Sequence, residues 1–488
     1  MKKPYVDYVE ASGAQLYKHI IQEFICGRLH SYVVNLDYYD GKHRVLDRED
    51  KILINQDGEE VQKESAKLVF QFPKLIVDTA NNYVLGKPVT YKNKKSCKHN
   101  DKANTDEFID ILNDIFEDNN EHYQTCELGK ALSITGDAYE YVHVGMDGEI
   151  KFTSFPADEC IPIYEASTKE LESLIRFYQM ERIDEDGNKE MFYKVEIYDR
   201  EKVEYYEYVN NYFMLDATKE TFYHKLGEVP VVHYKNSTVI GSDYGKSDID
   251  DVITLIDEYE NKLSDLSDIL KYNANPLMMF ENCIIDSTQY QEALASGTLF
   301  VPEGGKVSYL TWEQNIPALK EHIEKVEDAI FTFSFTPKLY RDNSDGNPSS
   351  GISIKMKFSG ADLKASGKEI NIKVGLKKRI RLIAKLLKLT EGVEYNYKDV
   401  DIVFNRSIPQ NLLEIAQICT YLKGLVSDET LMETIPFITS IETEKDRVAK
   451  QKEQEVTKDT NEVTVDTKKV TNTSTDVPKQ LVNPEMNR

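Results

Sequence analysis

Ser247-Asp-Ile-Asp-Asp-Val-Ile-Thr-Leu-Ile-Asp-Glu-Tyr-Glu-Asn-Lys-Leu-Ser-Asp-Leu-Ser-Asp-Ile-Leu-Lys-Tyr272 is the stretch that decides the fold. Ile249, Val252, Ile256, Tyr259, Leu263, Leu266 and Leu270 step by 3, 4, 3, 4, 3 and 4 residues. That is an a/d stripe over three heptads, and a helix carrying it must bury that stripe on another helix. At 1.5 Å per residue the helix is about 39 Å long. Ser247 with Asp250 offers a capping-box-like start, and Asn275-Pro276 a stop. The other faces are acidic, with eight Asp/Glu against three Lys between Gly245 and Tyr272.

Downstream, Leu277 to Glu313 is short, with strand-like pieces around a small helix at Ser287–Ala295. Pro317 to Phe335 is helical again, with Leu319, Ile323, Val326 and Ile330 on one face, and Pro337 stops it. Two helices flanking a compact insert read as an antiparallel pair carrying a small domain at its tip. Asp342-Asn343-Ser344-Asp345-Gly346-Asn347-Pro348-Ser349-Ser350-Gly351 holds only turn formers. Ile352 to Leu389 then reads as a long helix, with Gly360, Gly367 and Gly375 as weak points. Between Lys355 and Lys388 there are eleven Lys/Arg and two acids, a strongly basic stretch. Gln410 to Gly424 is amphipathic and helical. After Glu442 the apolar anchors thin out, which predicts disorder from Val456 to Arg488.

Upstream, Ser133 to Tyr234 alternates with the period of strands. Ala138 to Val144 and Ile150 to Phe155 flank an Asp147-Gly148 turn, and Leu174–Arg182 and Met191–Tyr198 flank Asp186-Gly187. Val203, Tyr205, Glu207 and Val209 continue the pattern. From Met1 to about Lys130 the pattern is helical: Ala14 to Ile25, then Lys67 to Tyr83 with Pro73 demanding a kink or a late start. Phe108 to Phe116 begins another helix, with Asn104 to Asp106 as its cap. Helices and an antiparallel-rich sheet region together make the class α+β.

At 488 residues the chain is long enough for about three domains. Its 60 Lys/Arg and 84 Asp/Glu leave a net charge of −24. Such a surface repels a DNA duplex at long range, which argues against a repressor or a nuclease groove. It does not exclude a protein that surrounds DNA and lets it slide. No run of 18 apolar residues exists, so no membrane partner is expected. The lysines after Met1 precede no apolar run, which argues against a secretory leader. The six cysteines lie far apart and form no CxxC, so a disulfide framework and a zinc ribbon both fail on spacing, and a reducing cytoplasm is the simplest home.

Few residues carry the pattern of a catalyst. Gly241-Ser-Asp-Tyr-Gly245-Lys246-Ser247 looks like a phosphate-binding loop that is one residue short, with Ile240 where the first glycine belongs. It reads as a helix N-terminus. His122 and Cys126 share a helix face without a second ligand pair, so they read as a buried pair and not as a metal site. The carboxylates from Asp101 to Asp118 read as a solvated face. No enzyme and no cofactor are expected. The basic stretch has two readings. One is a solvated or intersubunit face that pairs with the acidic faces of Ser247–Tyr272. The other is a phosphate-facing surface of Lys364, Lys368, Lys373, Lys377, Lys378 and Arg379, which lacks interleaved aromatics and so could touch only the backbone of a nucleic acid.

Over roughly residues 15 to 440 the order of parts resembles the portal proteins of long-tailed phages of Gram-positive bacteria. The residues that carry this are Phe72-Pro-Lys-Leu-Ile-Val-Asp-Thr-Ala-Asn-Asn-Tyr-Val-Leu-Gly-Lys-Pro-Val-Thr-Tyr91 and Gly136-Asp-Ala-Tyr-Glu-Tyr141. With them come Tyr244-Gly-Lys-Ser-Asp-Ile249, opening the heptad helix, and Ser349-Ser-Gly-Ile352, opening the basic one. The resemblance implies a ring, usually of twelve copies, at one capsid vertex of the virion, assembled in the host cytoplasm, with double-stranded DNA passing non-specifically through its tunnel. It implies a mixed wing (Met1–Ile240 with Thr336–Pro409), a stem of two antiparallel helices (Gly241–Asn275 and Glu313–Phe335) and a small α/β clip (Pro276–Trp312). A helical crown (Gln410–Glu455) completes the layout. Asp342–Gly351 matches the position of the tunnel loop that approaches DNA. The implied partners are further copies of the chain, the terminase motor, the head–tail adaptor, and capsid and scaffold proteins. The competing reading is a nucleotide- or metal-dependent DNA-processing enzyme of a packaging system, which would need a Walker pair or a carboxylate cluster. A third is a scaffold protein that assembles through the heptad helix.

Overall fold

The computed structural model describes residues 13–54, 59–94, 102–183, 187, 189–209, 212–274, 277–282, 284, 286, 288, 291, 295–296, 301, 303–310, 316–338, 355–406, 412–435, 438 and 444–451. Met1–Ile408 forms one compact unit and Pro409–Arg488 another.

In the first unit three cores can be separated by what they cover. A three-stranded antiparallel sheet in the order β12 (Val231–Lys235), β4 (Asp137–Val144), β5 (Ile150–Phe155) lies at the centre. The Asp147-Gly148 turn joins β4 to β5 with Val144 opposite Ile150, and Gly148 takes a φ of +89° that a side chain would resist. The long helix α8 (Ser359–Thr390) packs on this sheet, with Ile372, Leu376, Ile380 and Ile383 buried against Val232 and Tyr234. Helices α3 (Phe72–Leu85), α4 (Lys102–Asp118) and α5 (Glu121–Thr135) close the same core through Val84, Phe108, Leu112 and Leu132. A second core lies under α1 (Gly13–Cys26), where Ile21 and Phe24 cover an antiparallel sheet whose strands run in the order Tyr212–Leu215, Lys202–Val209, Lys189–Tyr198, Leu171–Ile183 and Cys160–Tyr164. Its longest ladder, β7 (Leu171–Ile183) with β8 (Lys189–Tyr198), runs from Leu174 opposite Tyr198 to Ile183 opposite Lys189. Strand β9 (Lys202–Val209) follows, edged by β10 (Tyr212–Leu215).

The third core joins α2 (Arg28–Tyr39) and α3 to a pair of helices, α6 (Ile253–Ala274) and α7 (Ile316–Ser334). Ile249 and Val252 just ahead of α6 and Ile256 in its first turn are buried with Val326 and Ile330 near the end of α7, so the two helices run antiparallel. Between them β13 (Leu277–Glu281) pairs antiparallel with β14 (Lys306–Leu310). Tyr259, Leu263 and Leu266 are half-buried and Leu270 is exposed, so the stripe empties toward the strand pair. The small helix expected at Ser287–Ala295, the Asn275-Pro276 stop and the segment Val456–Arg488 lie outside the described residues in whole or large part.

Local chemistry explains where element ends depart from expectation. Helix α6 begins at Ile253 and not at Ser247. The capping pair forms, since the Ser247 amide donates to Asp250 at 3.0 Å. However, Ile249 N–H goes to Ser247 Oγ and Asp248 N–H to the Ser133 carbonyl, so those amides stabilise a turn ahead of the helix. Pro73 sits in the first turn of α3, where its missing N–H costs nothing, and the late start wins over the kink. Helix α4 starts at Lys102, which puts the expected cap at Asn104–Asp106 inside it. Gly375 is no weak point: a Cβ there would lie 2.2 Å from the Tyr234 ring, so its bare backbone lets α8 touch the sheet.

In the second unit α9 (Leu412–Leu422) precedes α10 (Asp428–Thr434), whose first turn is capped by Ser427 Oγ accepting from Thr430 N–H.

Candidate functional site at the root of the helical pair

Two of the segments that carried the family resemblance meet at one point. Gly136, with φ +87°, ends α5, and a Cβ on it would come within 2.8 Å of the Ser247 amide nitrogen. A Cβ on Gly245 would lie 2.1 Å from the Gly136 carbonyl oxygen. Two bare backbones therefore touch where the chain leaves the central sheet and turns into α6.

Asp137 holds this crossing together. It is fully buried, and each oxygen accepts two bonds. Oδ1 takes the Gly245 amide at 2.6 Å and His233 Nε2–H at 2.8 Å; Oδ2 takes Tyr32 Oη–H at 2.6 Å and Arg28 Nη2 at 2.8 Å. Arg28 also donates to the Gly245 carbonyl at 2.6 Å. Burial alone would raise the Asp137 carboxyl, but His233, Arg28 and Tyr32 outweigh it and hold its pKa below the usual value. Burial pushes His233 the other way, so its ring is neutral, donates from Nε2 and accepts from Tyr164 Oη–H at Nδ1, 2.7 Å away.

The amides from Tyr244 to Asp248, which a phosphate would need, are bonded within the chain, to Ser242 Oγ, Asp137, Ser237, Asp250 and Ser133. Lys246 pairs with Asp251. The one-short loop is thus a junction and not a nucleotide site. His122 is exposed, contrary to the expected buried pair, because it faces outward on α5. Cys126, half-buried, donates to the Leu85 carbonyl at 3.1 Å. Among the described residues no group of three or more His, Cys, Asp or Glu is arranged to hold a metal ion, and no helix is long and apolar enough to cross a membrane.

The acidic faces of the heptad helix turn out to be occupied by the chain itself. Asp248 pairs with Lys368 at 2.7 Å and Lys364 at 3.1 Å, and Asp250 accepts from Asn35 at 2.9 Å. Asp257 pairs with Arg44 at 3.0 Å, Glu258 with His322 at 3.2 Å, and Asp268 with Lys51 at 3.3 Å. Arg48 holds Asp265. Among the described residues the basic stretch meets this segment at Asp248, ahead of α6, while Asp257, Glu260, Asp265 and Asp268 are held by an arm, residues 43–51 and 66–70 of the same chain. The arm's extended end, from Ala66 to Phe70, is held at alternate amides. Ala66 N–H donates to Asp268 at 2.9 Å, Leu68 N–H to Ser264 Oγ at 3.0 Å, and Phe70 N–H to Glu260 at 2.7 Å.

His43 fastens the same arm. Both ring nitrogens face acceptors, Nδ1 at 2.6 Å from Glu260 Oε1 and Nε2 at 2.8 Å from the Tyr38 carbonyl. Burial disfavours the charged ring, but Glu260 and the carbonyl more than offset this, and its pKa lies above the ordinary histidine value. A raised pKa contributes stability that is complete below the unfolded value of about 6.5 and lost as pH rises through the folded one. The urea midpoint of the wild type is expected to fall as pH rises from about 6.5 through the folded value, while Glu260→Gln flattens the slope. Parallel pH profiles for the two proteins would show that His43 does not hold the arm.

The cations expected to face phosphate mostly point inward. Arg379 is fully buried, with Nη2 2.6 Å from Glu140, Nε 2.7 Å from its second oxygen, and Nη1 3.0 Å from Glu121. Lys368 is buried on Ser133 and Asp248. Lys378 donates to the Val231 carbonyl at 2.8 Å, and burial pushes its amine down to about 8. Lys364 bonds the Ser334 carbonyl at 2.9 Å, and Lys373 pairs with Asp401 at 3.0 Å. Of the six, Lys377 is exposed. A helix that crosses the middle of a protein needs its polar positions neutralised, and charge counted along a sequence does not say which way it points. Asp342, Asn343, Ser344, Asp345, Gly346, Asn347, Pro348 and Ser349 lie outside the described residues.

Sequence reasoning missed Asp137, Arg28, His233, His43 and Glu260. The available signal was a lone Asp opening a strand after Gly136, inside a segment already singled out. A family model described as "Phage portal protein, SPP1 Gp6-like" matches residues 27–458, which include this whole junction. The portal protein of Bacillus phage SPP1 is 26% identical over 405 residues, covering 78% of this chain and 75% of that protein. The portal protein of Clostridium phage phiCD119 is 22% identical over 441 residues, covering 86% of this chain and 92% of that protein. With the family match running through both helices of the pair, the three-stranded sheet and the basic helix packed on it, the chain belongs to the SPP1 Gp6-like phage portal protein family.

Proposed function

We propose that the chain is one subunit of a homododecameric ring at a capsid vertex, through which double-stranded DNA is packaged and later ejected. Membership of the portal family carries this reading. The helical pair with a strand pair between its helices fits the stem, Gly241–Asn275 and Glu313–Phe335, with its clip, Pro276–Trp312. Met1–Ile240 with Thr336–Pro409 would be the wing, and Gln410–Glu455 the crown. The clip would dock the terminase motor and later the head–tail adaptor. The wing would meet capsid and scaffold proteins. The role is structural, a conduit without catalysis. A net charge of −24 per chain suits a wall that must not hold a polyanion.

The test is mass and shape. Light scattering should give a species of about twelve chains of 56.2 kDa, and negative-stain images a ring with a central hole. A stable monomer under capsid-assembly conditions, scaffold included, would overturn the reading. Residues Asp342–Gly351, with two Asp and no Lys, would approach DNA as a weakly interacting loop. Deleting Asn343 to Ser349 is expected to leave ring mass unchanged and to cut the yield of DNA-filled heads. A normal yield from that variant would remove the loop from the channel's work.

A further inference from the structure

Helix α7 ends on a strained residue. Its last turn closes as a Schellman motif, with Phe335 N–H donating to the Thr332 carbonyl at 3.3 Å and Thr336 N–H to the Phe331 carbonyl at 3.1 Å. The motif needs one residue in the left-handed region, which suits glycine, and Phe335 occupies it at φ +58°. A Cβ there disfavours the closed turn by about fivefold or more. The ring offsets little of this, since Phe335 is 49% exposed. It lies over Gly360 of α8, where an added Cβ would come 3.4 Å from it. A void of about 10 Å³ beside the turn, lined by Tyr83, Ser334, Thr336 and Ala365, leaves room for movement.

Charged side chains hold the turn shut. Lys364 donates from α8 to the Ser334 carbonyl at 2.9 Å and pairs with Asp248, ahead of α6, at 3.1 Å. Lys338 reaches back along α7 to Asp328 at 2.5 Å and Glu327 at 3.5 Å. The Lys364 ammonium thus ties α8 to the end of α7 and to the approach to α6. A shift of α8 against those two breaks its bond to Ser334.

We propose that the end of α7 is a spring-loaded joint: Lys364 holds Phe335 in the left-handed region, and its release lets Phe335 relax to negative φ and the chain leave α7 in a second direction. Backbone strain that packing does not offset is retained at sites that use it. In the layout proposed above Phe335 ends the stem and Thr336 begins the wing, so the joint lies where those parts would move against each other. Its use rests on that reading; its strain does not.

The experiment compares Phe335→Gly with Phe335→Ala in the full chain. Both remove the ring, and alanine keeps the Cβ. Hydrogen exchange at the Thr336 amide, whose bond closes the turn, is expected to be slower in the glycine variant by about fivefold or more. Equal rates, or slower exchange in the alanine variant, would overturn the proposal, because glycine is the weaker residue wherever φ is negative. Lys364→Met should speed the same exchange by about tenfold, with Asp248 still paired to Lys368. An unchanged rate there would also overturn it, since Lys364 would not be what holds the turn. The use of the joint is read in capsids. Phe335→Gly is expected to form rings of wild-type mass and to cut the yield of DNA-filled heads severalfold, while Phe335→Ala packages as the wild type does. Wild-type yield from the glycine variant, or an equal loss from both, sinks this inference alone. If the wild-type chain forms no ring, the portal-ring reading falls and the use of the joint with it, whereas the exchange comparison on single chains still decides the strain.

Discussion

Arg379→Met is expected to abolish folding at 37 °C. The methionine fills the space but leaves Glu140 and Glu121 inside the core without their cation. Each carboxylate keeps only neutral donors: Tyr234 Oη–H for Glu140 at 2.8 Å, and Tyr91 Oη–H and Thr125 Oγ–H for Glu121 at 2.9 and 2.7 Å. Breaking a buried pair by removing one partner costs about 3–5 kcal/mol. Here one cation serves two acids, and a domain has only about 5–15 kcal/mol in all. Soluble yield and urea unfolding give the readout. Adding Glu140→Gln and Glu121→Gln to the same chain should recover much of the loss, since neutral amides need no counter-charge. If the single variant unfolds within about 1 kcal/mol of wild type, the guanidinium is not what neutralises these acids.

Asp137→Asn is expected to cost about 2–5 kcal/mol and to loosen the root of α6 from the sheet. Each Asp137 oxygen accepts from two donors, so an amide placed either way aims its NH2 group at donors. With Oδ1 replaced, the Gly245 amide and His233 lose their acceptor; with Oδ2 replaced, Tyr32 and Arg28 do. Volume and shape are unchanged, so the loss measures hydrogen bonding and charge alone. Hydrogen exchange at the Gly245 amide should speed up more than at amides within β4. Unchanged exchange there, with stability unchanged, would show that glycine packing alone holds the crossing.

The legible parts of this protein are those where one face is apolar and the other wet. The paired strands β4 with β5 and β7 with β8, the heptad stripe from Ile249 and the second helix with Ile323, Val326 and Ile330 all have that form. Long-range polar pairing is what the sequence conceals. Asp137 and Gly245 are 108 residues apart, His43 and Glu260 217 apart, and Arg379 and Glu140 239 apart. No periodicity links such positions, because each pair depends on two segments arriving at the same place. The basic helix misleads for a related reason. Lys364 to Arg379 reads as a charged surface, although lysine and arginine stems pack along apolar neighbours and deliver their charge to partners several ångströms away.

The arm along α6 also sets how force travels. Its anchors on the helix, Glu260, Ser264 and Asp268, recur every four residues, about 6.0 Å of rise, and grip amides two residues apart, a spacing of about 6.6 Å in extended chain. The two spacings nearly match, so the contact works like a rack against a toothed rod. A slip of a fraction of a turn unseats all three teeth together. A slip of one whole turn would put Ser264 against Phe70 and Asp268 against Leu68, seating two of them again. An axial push on α6 is thus handed on to the body of the subunit at residues 66–70, without gradual yielding in the helix, and any displacement along that axis comes in steps of one turn.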